Sequence, residues 1–168
     1  MADRVSHVVL PGTYDPVTLG HMDVIRRSAR LFSKVTVGVA ASRAKRGVGT
    51  VFSQEERVQM IGESLVEMGI GGVDVLPFDG LLVDFCHELG AGGVVKGLRA
   101  MTDFEFELQQ ADLNAHLAPD LESVFVMASP AYGYVSSSIV RELASLGSPV
   151  DSLVPACVSA RLEARYGA

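Results

Sequence analysis

Along the chain, short apolar runs alternate with stretches in which apolar positions return every three or four residues. Residues 5–10 predict a first strand, ended by the breaker Pro11-Gly12. From 20 to 32, Met22, Ile25, Ala29 and Phe32 recur at helical spacing against Asp23, Arg26, Arg27 and Arg30, predicting a helix. Residues 34–41 predict a second strand. Ser53 with Glu56 three residues on forms a capping box that opens a helix to about 68. Gly69-Ile70-Gly71-Gly72 stops it, and a third strand follows at 73–78. Residues 81–89 read as a helix, 93–96 as a strand, and 104–117 as a helix with Asp103 as N-cap, stopped before Pro119. A strand at 122–128 and a helix at 137–146 precede Gly147, and a last helix runs over about 155–165, with Pro155 where a first turn tolerates it.

A β-α pair therefore repeats five times before a terminal helix. The strands are continuous rather than alternating apolar runs, which is the mark of a parallel sheet covered on both faces. The expected architecture is a single α/β domain over 1–168: a doubly wound, Rossmann-like, five-stranded parallel sheet with helices on both sides. No linker, internal repeat or low-complexity stretch divides it.

Composition narrows the function. With 168 residues, 48% of them hydrophobic and 20% charged, the chain is long and apolar enough to bury one sizeable core and is not a disordered sequence. A net charge of −6 gives no basic surplus for general nucleic-acid binding. No run approaches the ~18 apolar residues of a membrane span. Met1-Ala2-Asp3-Arg4 leads straight into the first strand, so no signal peptide is expected. Cys86 and Cys157 form no C-x-x-C pair, so neither a zinc site nor a disulfide framework follows, and a reducing cytoplasm is the expected setting. A mean hydropathy of +0.30 is high for a small monomer and points to buried subunit contacts.

In a sheet of this kind ligands bind beyond the carboxyl ends of the strands, where the strand order reverses. The loop after the first strand holds Thr13, Tyr14, Thr18, Gly20 and His21, and matches neither a Walker nor a dinucleotide glycine pattern. It supplies a Gly turn, hydroxyls and a His just inside a helix N-terminus, whose free N–H groups and positive dipole end favour an anion. Alone, Thr18-x-Gly20-His21 would pass for a helix cap. After the second strand come Arg43, Lys45 and Arg46; after the fourth, Lys96, Gly97, Leu98 and Arg99; after the fifth, Tyr132 to Ser138 ahead of a helix containing Arg141. Each taken singly has a bland reading as a solvated charge run or a cap. Four loops on one sheet edge with phosphate-binding chemistry, and no nucleophile elbow or HExxH, indicate positioning and charge neutralisation in nucleotidyl or phosphoryl transfer.

Three segments together carry a family likeness: Pro11-Gly12-Thr13-Tyr14-Asp15-Pro16 through Gly20-His21; Lys96-Gly97-Leu98-Arg99-Ala100 with Asp103-Phe104-Glu105 and Glu107; and Val135-Ser136-Ser137-Ser138. They resemble the bacterial phosphopantetheine adenylyltransferases of the nucleotidyltransferase superfamily, in order and over nearly the whole chain. The resemblance implies that AMP passes from ATP to 4′-phosphopantetheine, giving dephospho-coenzyme A and pyrophosphate, by direct attack on the α-phosphorus with Mg²⁺ as cofactor. It implies His21 as the transition-state stabiliser, with Lys45 and Arg99 also in the catalytic step. Thr13, Lys45, Leu82 and Lys96 match substrate-binding positions. Thr13, Tyr14, His21, Gly97, Leu98, Arg99, Glu107, Tyr132, Gly133, Tyr134, Val135, Ser136, Ser137 and Ser138 match ATP-binding positions. No protein metal ligands, nucleic acid or membrane are implied, and a cytoplasmic homohexamer is.

The chain departs from the family pattern in three places. Lys96 stands where many members have Arg, keeping the charge without bidentate geometry. Phe106 stands where Tyr is common. The loop at 45–52 is longer than usual, so Arg43 or Arg46 could take the role matched to Lys45. Two other readings compete: a cytidylyl- or nicotinate-mononucleotide adenylyltransferase, which the segment from Gly97 to Glu107 disfavours, and a nucleotide-sensing module, which would have no need of His21.

Overall fold

The structure of the chain, a computed structural model, describes residues 4–41 and 49–167. Five strands, β1 (His7–Gly12), β2 (Lys34–Ala40), β3 (Val73–Phe78), β4 (Gly93–Leu98) and β5 (Glu122–Met127), form one parallel sheet in the order β3-β2-β1-β4-β5. The helices are α1 (Leu19–Leu31), α2 (Gln54–Glu67), α3 (Leu82–Leu89), α4 (Met101–Leu117), α5 (Ser137–Ser145) and α6 (Ala156–Tyr166), with a 3-10 turn at Pro130–Tyr132.

Alternate residues of the central strands feed two cores. Val8, Leu10, Val35, Val37, Val39 and Val95 pack with Met22, Ile25, Met60, Ile61, Val140 and Leu162 on the face covered by α1, α2, α5 and α6. Val9 and Val94 turn to the opposite face, against Val83, Phe85, Cys86, Ala118 and Leu121. Burial at both faces requires the unbroken apolar runs of β1, β2 and β4. The edge strand β3 differs: Asp74 and Leu76 face outward while Val73 and Val75 pack inward.

Strand order reverses beside β1, and the register there is short. β1 pairs with β2 over six positions, His7↔Lys34 to Gly12↔Val39, but with β4 only at Val8↔Gly93 and Val9↔Val94. Beyond Val9 the two strands diverge, and the gap between their carboxyl ends is the crevice that doubly wound sheets offer to ligands.

Three local expectations change. Pro11-Gly12 does not break β1; the strand continues to Gly12, paired with β2. Proline is tolerated there because the β4 side of β1 is already unpaired, so no ladder bond is lost on that side. Strand β4 runs on to Leu98 rather than ending at Lys96. Helix α4 starts at Met101 with Ala100 as its cap residue, and Asp103 is not the N-cap. Its carboxylate instead reaches back to Arg99, accepting from the guanidinium at 3.0 and 3.3 Å and from the Arg99 N–H at 3.1 Å.

Candidate active site

His21 is placed by the first turn of α1. Thr18 caps that helix: its hydroxyl accepts from the His21 N–H at 3.3 Å, while the Thr18 N–H donates to His21 Nδ1 at 3.0 Å. The pair makes a reciprocal capping box with imidazole where a carboxylate is usual. The geometry also fixes a tautomer. A backbone N–H can only donate, so Nδ1 is the acceptor and the ring proton of neutral His21 sits on Nε2. Burial lowers the imidazole from its ordinary 6.5 to about 4, with Arg99 and Lys96 pushing the same way. His21 is thus a neutral ring with a fixed Nε2–H donor.

Tyr14 backs it. Its ring stands edge-on to the imidazole with centroids 5.0 Å apart, and its hydroxyl donates to the Leu10 carbonyl at 3.0 Å. Burial pushes the phenol up, keeping it protonated. Tyr14 holds a left-handed φ of 51°, a conformation costing about 1–3 kcal/mol outside glycine and typical of ligand-clamping turns. The preceding Gly12 is required, because a Cβ there would come within 2.9 Å of the Tyr14 ring.

Opposite His21, β4 and α4 supply charge. Lys96 lies 3.2 Å from Glu107, and Arg99 makes a two-pronged contact with Asp103, Nε to Oδ2 at 3.0 Å and Nη2 to Oδ1 at 3.3 Å. Arg99 Nη1 also donates to the Val135 carbonyl at 3.2 Å, joining β4 to the segment before α5. Burial pushes the Asp103 carboxyl up, but the Arg99 hydrogen bonds and charge outweigh it and hold the group below the usual carboxylate range. Gly97 between the two cations allows α1 to approach, since its Cβ would sit 3.0 Å from Val24. At α5, Ser136 caps the helix by accepting from the Ile139 N–H at 3.2 Å, and Ser137 donates to the Pro16 carbonyl at 2.8 Å. With these hydroxyls engaged inside the fold, an anion at α5 would meet chiefly helix N–H groups.

These groups enclose one cavity of about 340 Å³ at the carboxyl ends of β1 and β4. Thr13, Tyr14, His21, Lys96, Gly97, Arg99, Glu107, Tyr132, Val135, Ser136, Ser137 and Ser138 all line it. Leu82, Leu98, Gly133 and Tyr134 do not: Leu82 starts α3 and packs against the second core, Leu98 is buried at the end of β4, and Tyr134 is exposed. Lys45 lies outside the described residues, as do Arg43 and Arg46. Asp103, absent from the expected site residues, lines the cavity as well. Its signal was the four-residue spacing to Glu107, which places two carboxylates on one helix face opposite two cations. His7 sits elsewhere, buried and 2.8 Å from the Thr36 hydroxyl at the amino end of the sheet.

Known proteins resemble this chain over nearly all of its length. The family described as cytidylyltransferase-like matches residues 9–143. A phosphopantetheine adenylyltransferase of Moorella thermoacetica is 49% identical over 159 residues, covering 95% of this chain and 96% of that protein. Another, from a Nocardioides species, is 43% identical over 98% of this chain and 99% of its own. The chain belongs to the phosphopantetheine adenylyltransferase family. It is accordingly a nucleotidyltransferase, and the loops that carried the likeness in sequence are those that meet at the cavity. Among solved structures, a bifunctional NMN adenylyltransferase/ADP ribose pyrophosphatase from Francisella tularensis matches with a TM-score of 0.75 at 15% identity. The match covers 98% of this chain but only 51% of that one, and it speaks for the shared Rossmann-like fold. The same Francisella protein, solved with AMP and a manganese ion, matches with a TM-score of 0.69 at 16% identity. No helix among the described residues is long and apolar enough to cross a membrane.

Proposed function

We propose that this phosphopantetheine adenylyltransferase, acting as a single nucleotidyltransferase domain, joins ATP and 4′-phosphopantetheine in the cavity between β1 and β4. A phosphate oxygen of phosphopantetheine attacks the α-phosphorus of ATP in line. One P–O bond forms, the α–β bridging P–O bond breaks, and pyrophosphate leaves with the electron pair, yielding dephospho-coenzyme A. The observation that carries the reading is the neutral His21 whose Nε2–H is fixed by the Thr18 N–H and set in the same cavity as Lys96 and Arg99. Such a donor stabilises charge growing on the α-phosphate without adding a proton of its own to the chemistry.

The remaining roles follow the family likeness. Thr13, Lys96, Lys45 and Leu82 take the acceptor, with the two lysines on its phosphate. Tyr14, Gly97, Leu98, Arg99, Glu107 and the segment from Tyr132 to Ser138 take ATP. Bringing an anion onto a triphosphate requires offsetting charge, and Lys96 and Arg99 are freed for it as phosphates displace Glu107 and Asp103. Once the phosphates have taken their cations, Glu107 and Asp103 are the cavity carboxylates that would face a Mg²⁺ arriving with ATP. Bound there, the ion would offset charge on the departing pyrophosphate. The setting is the cytoplasm and the assembly a homohexamer; Phe106, Leu113 and Leu117, all exposed along α4, are apolar surface that an assembly would cover. The test is a panel of acceptors with ATP and Mg²⁺. Pyrophosphate release with phosphopantetheine is expected, and release with nicotinate mononucleotide but none with phosphopantetheine would contradict the substrate assignment.

A further inference from the structure

Arg57 is the largest fully buried side chain, 1% exposed, in the first turn of α2 and outside the cavity lining. A guanidinium cannot be left unpaired in a protein interior, so its partners must be accounted for. Every hydrogen-bond acceptor it has among the described residues is a main-chain carbonyl, with the Asp15 and Glu55 carboxylates close enough to favour its charge. Nη1 donates to Thr13 at 2.6 Å and to Ala40 at 3.0 Å, and Nε is shared between Phe52 at 3.2 Å and Ser53 at 3.3 Å. Through one side chain the turn after β1, the end of β2 and the start of α2 are pinned together.

The Thr13 contact bears on the site. The Thr13–Tyr14 peptide is trans, so its C=O and N–H point in opposite directions. With the carbonyl held by Arg57, which does not line the cavity, the Tyr14 N–H points away from Arg57, and both Thr13 and Tyr14 line the cavity. No described residue accepts a hydrogen bond from that N–H. Two neighbouring carbonyls are held similarly, Asp15 by Arg141 and Pro16 by Ser137, while the Asp15 carboxylate accepts from the Val51 and Phe52 N–H groups at 2.9 and 3.0 Å. A turn whose carbonyls are tied into the protein and whose N–H has no internal acceptor offers that N–H to an anion.

We propose that Arg57 is a positioning residue for adenylyl transfer: from behind the cavity it holds the Thr13 carbonyl, and so presents the Tyr14 N–H to a nucleotide phosphate. This inference rests on the adenylyltransferase reading. Without Arg57 the Thr13–Tyr14 peptide is free to rotate, and a rotated carbonyl would turn a partial negative charge on the phosphates.

The test compares wild type, Arg57→Met and Arg57→Lys, each checked for a cooperative thermal transition and assayed well below it. For Arg57→Met, kcat is expected to fall by about 10²-fold, the scale of a misplacement of roughly 1 Å, with Arg57→Lys recovering part of the loss. A merely structural residue would lower the melting temperature but leave kcat of the folded fraction within about threefold of wild type, and that result overturns the proposal. A second measurement needs no variant: amide NMR of the wild-type protein with ATP, and with inorganic pyrophosphate, should move the Tyr14 N–H downfield. A Tyr14 resonance unmoved by saturating ATP overturns the proposal even if no Arg57 variant folds. A wild type inactive with phosphopantetheine would instead contradict the substrate assignment.

Discussion

His21 shows how one side chain acquires chemistry from its neighbours. In the third position of a helix, facing a threonine cap, an imidazole can close the capping box only through Nδ1, which leaves Nε2 protonated and directed outward. The motif was legible as Thr18-x-Gly20-His21, but the protonation was not, because it depends on burial and on cations brought from β4. His21→Ala is expected to lower kcat by about 10²–10³, the usual loss for one preorganised donor, with a small change in ATP affinity. A variant within a few-fold of wild type would remove His21 from its role. The lowered value also fixes the sign of its pH behaviour. Because the folded imidazole titrates near 4 and the unfolded one near 6.5, the unfolded state binds more protons between those values. The contribution of His21 to stability is complete above about 6.5 and is lost as pH falls toward 4. An NMR titration of the free enzyme should therefore show a neutral ring throughout pH 5.5–8; a midpoint near 6.5 would contradict the half-buried, cation-flanked ring.

Elements decide what those residues can reach. Strands β1 and β4 share only two paired positions, and their divergence opens the cavity that the βα repeat placed at the carboxyl ends. The element order, both faces of the sheet and the α2 capping box could be read from periodicity and caps, since each rests on local spacing. Asp103 escaped because at the start of α4 it read as a cap: only the path of the chain from β4 into α4 turns its carboxylate back to Arg99, four residues earlier. Arg57 escaped because a polar residue in a capped first turn reads as surface, and only the packing of α2 beneath the turn after β1 buries it. The paired ions on α4 set a prediction. Lys96 is held by Glu107 and is proposed to bind the acceptor phosphate, so Lys96→Ala should weaken phosphopantetheine more than ATP in separate titrations. The reverse order would mean that the two subsites are exchanged.

At the scale of the whole molecule, the two faces of the sheet are unequal. Among the described residues four helices cover one face, while α3 and α4 cover the other, and α4 leaves Phe106, Leu108, Leu113 and Leu117 at the surface. That surplus follows from the same apolar composition that built the core, and it is the face that the proposed assembly would cover. The site itself depends on convergence: residues 13–21, 96–107 and 132–138 are remote in sequence and meet only because the sheet reverses its order between β1 and β4. A crystal structure of the enzyme with ATP and Mg²⁺ tests that convergence most directly. The account predicts the triphosphate in the cavity between β1 and β4, with His21 Nε2 within hydrogen-bond reach of an α-phosphate oxygen and Lys96 and Arg99 released from Glu107 and Asp103. A nucleotide seated elsewhere, or an α-phosphate beyond the reach of His21, would contradict it.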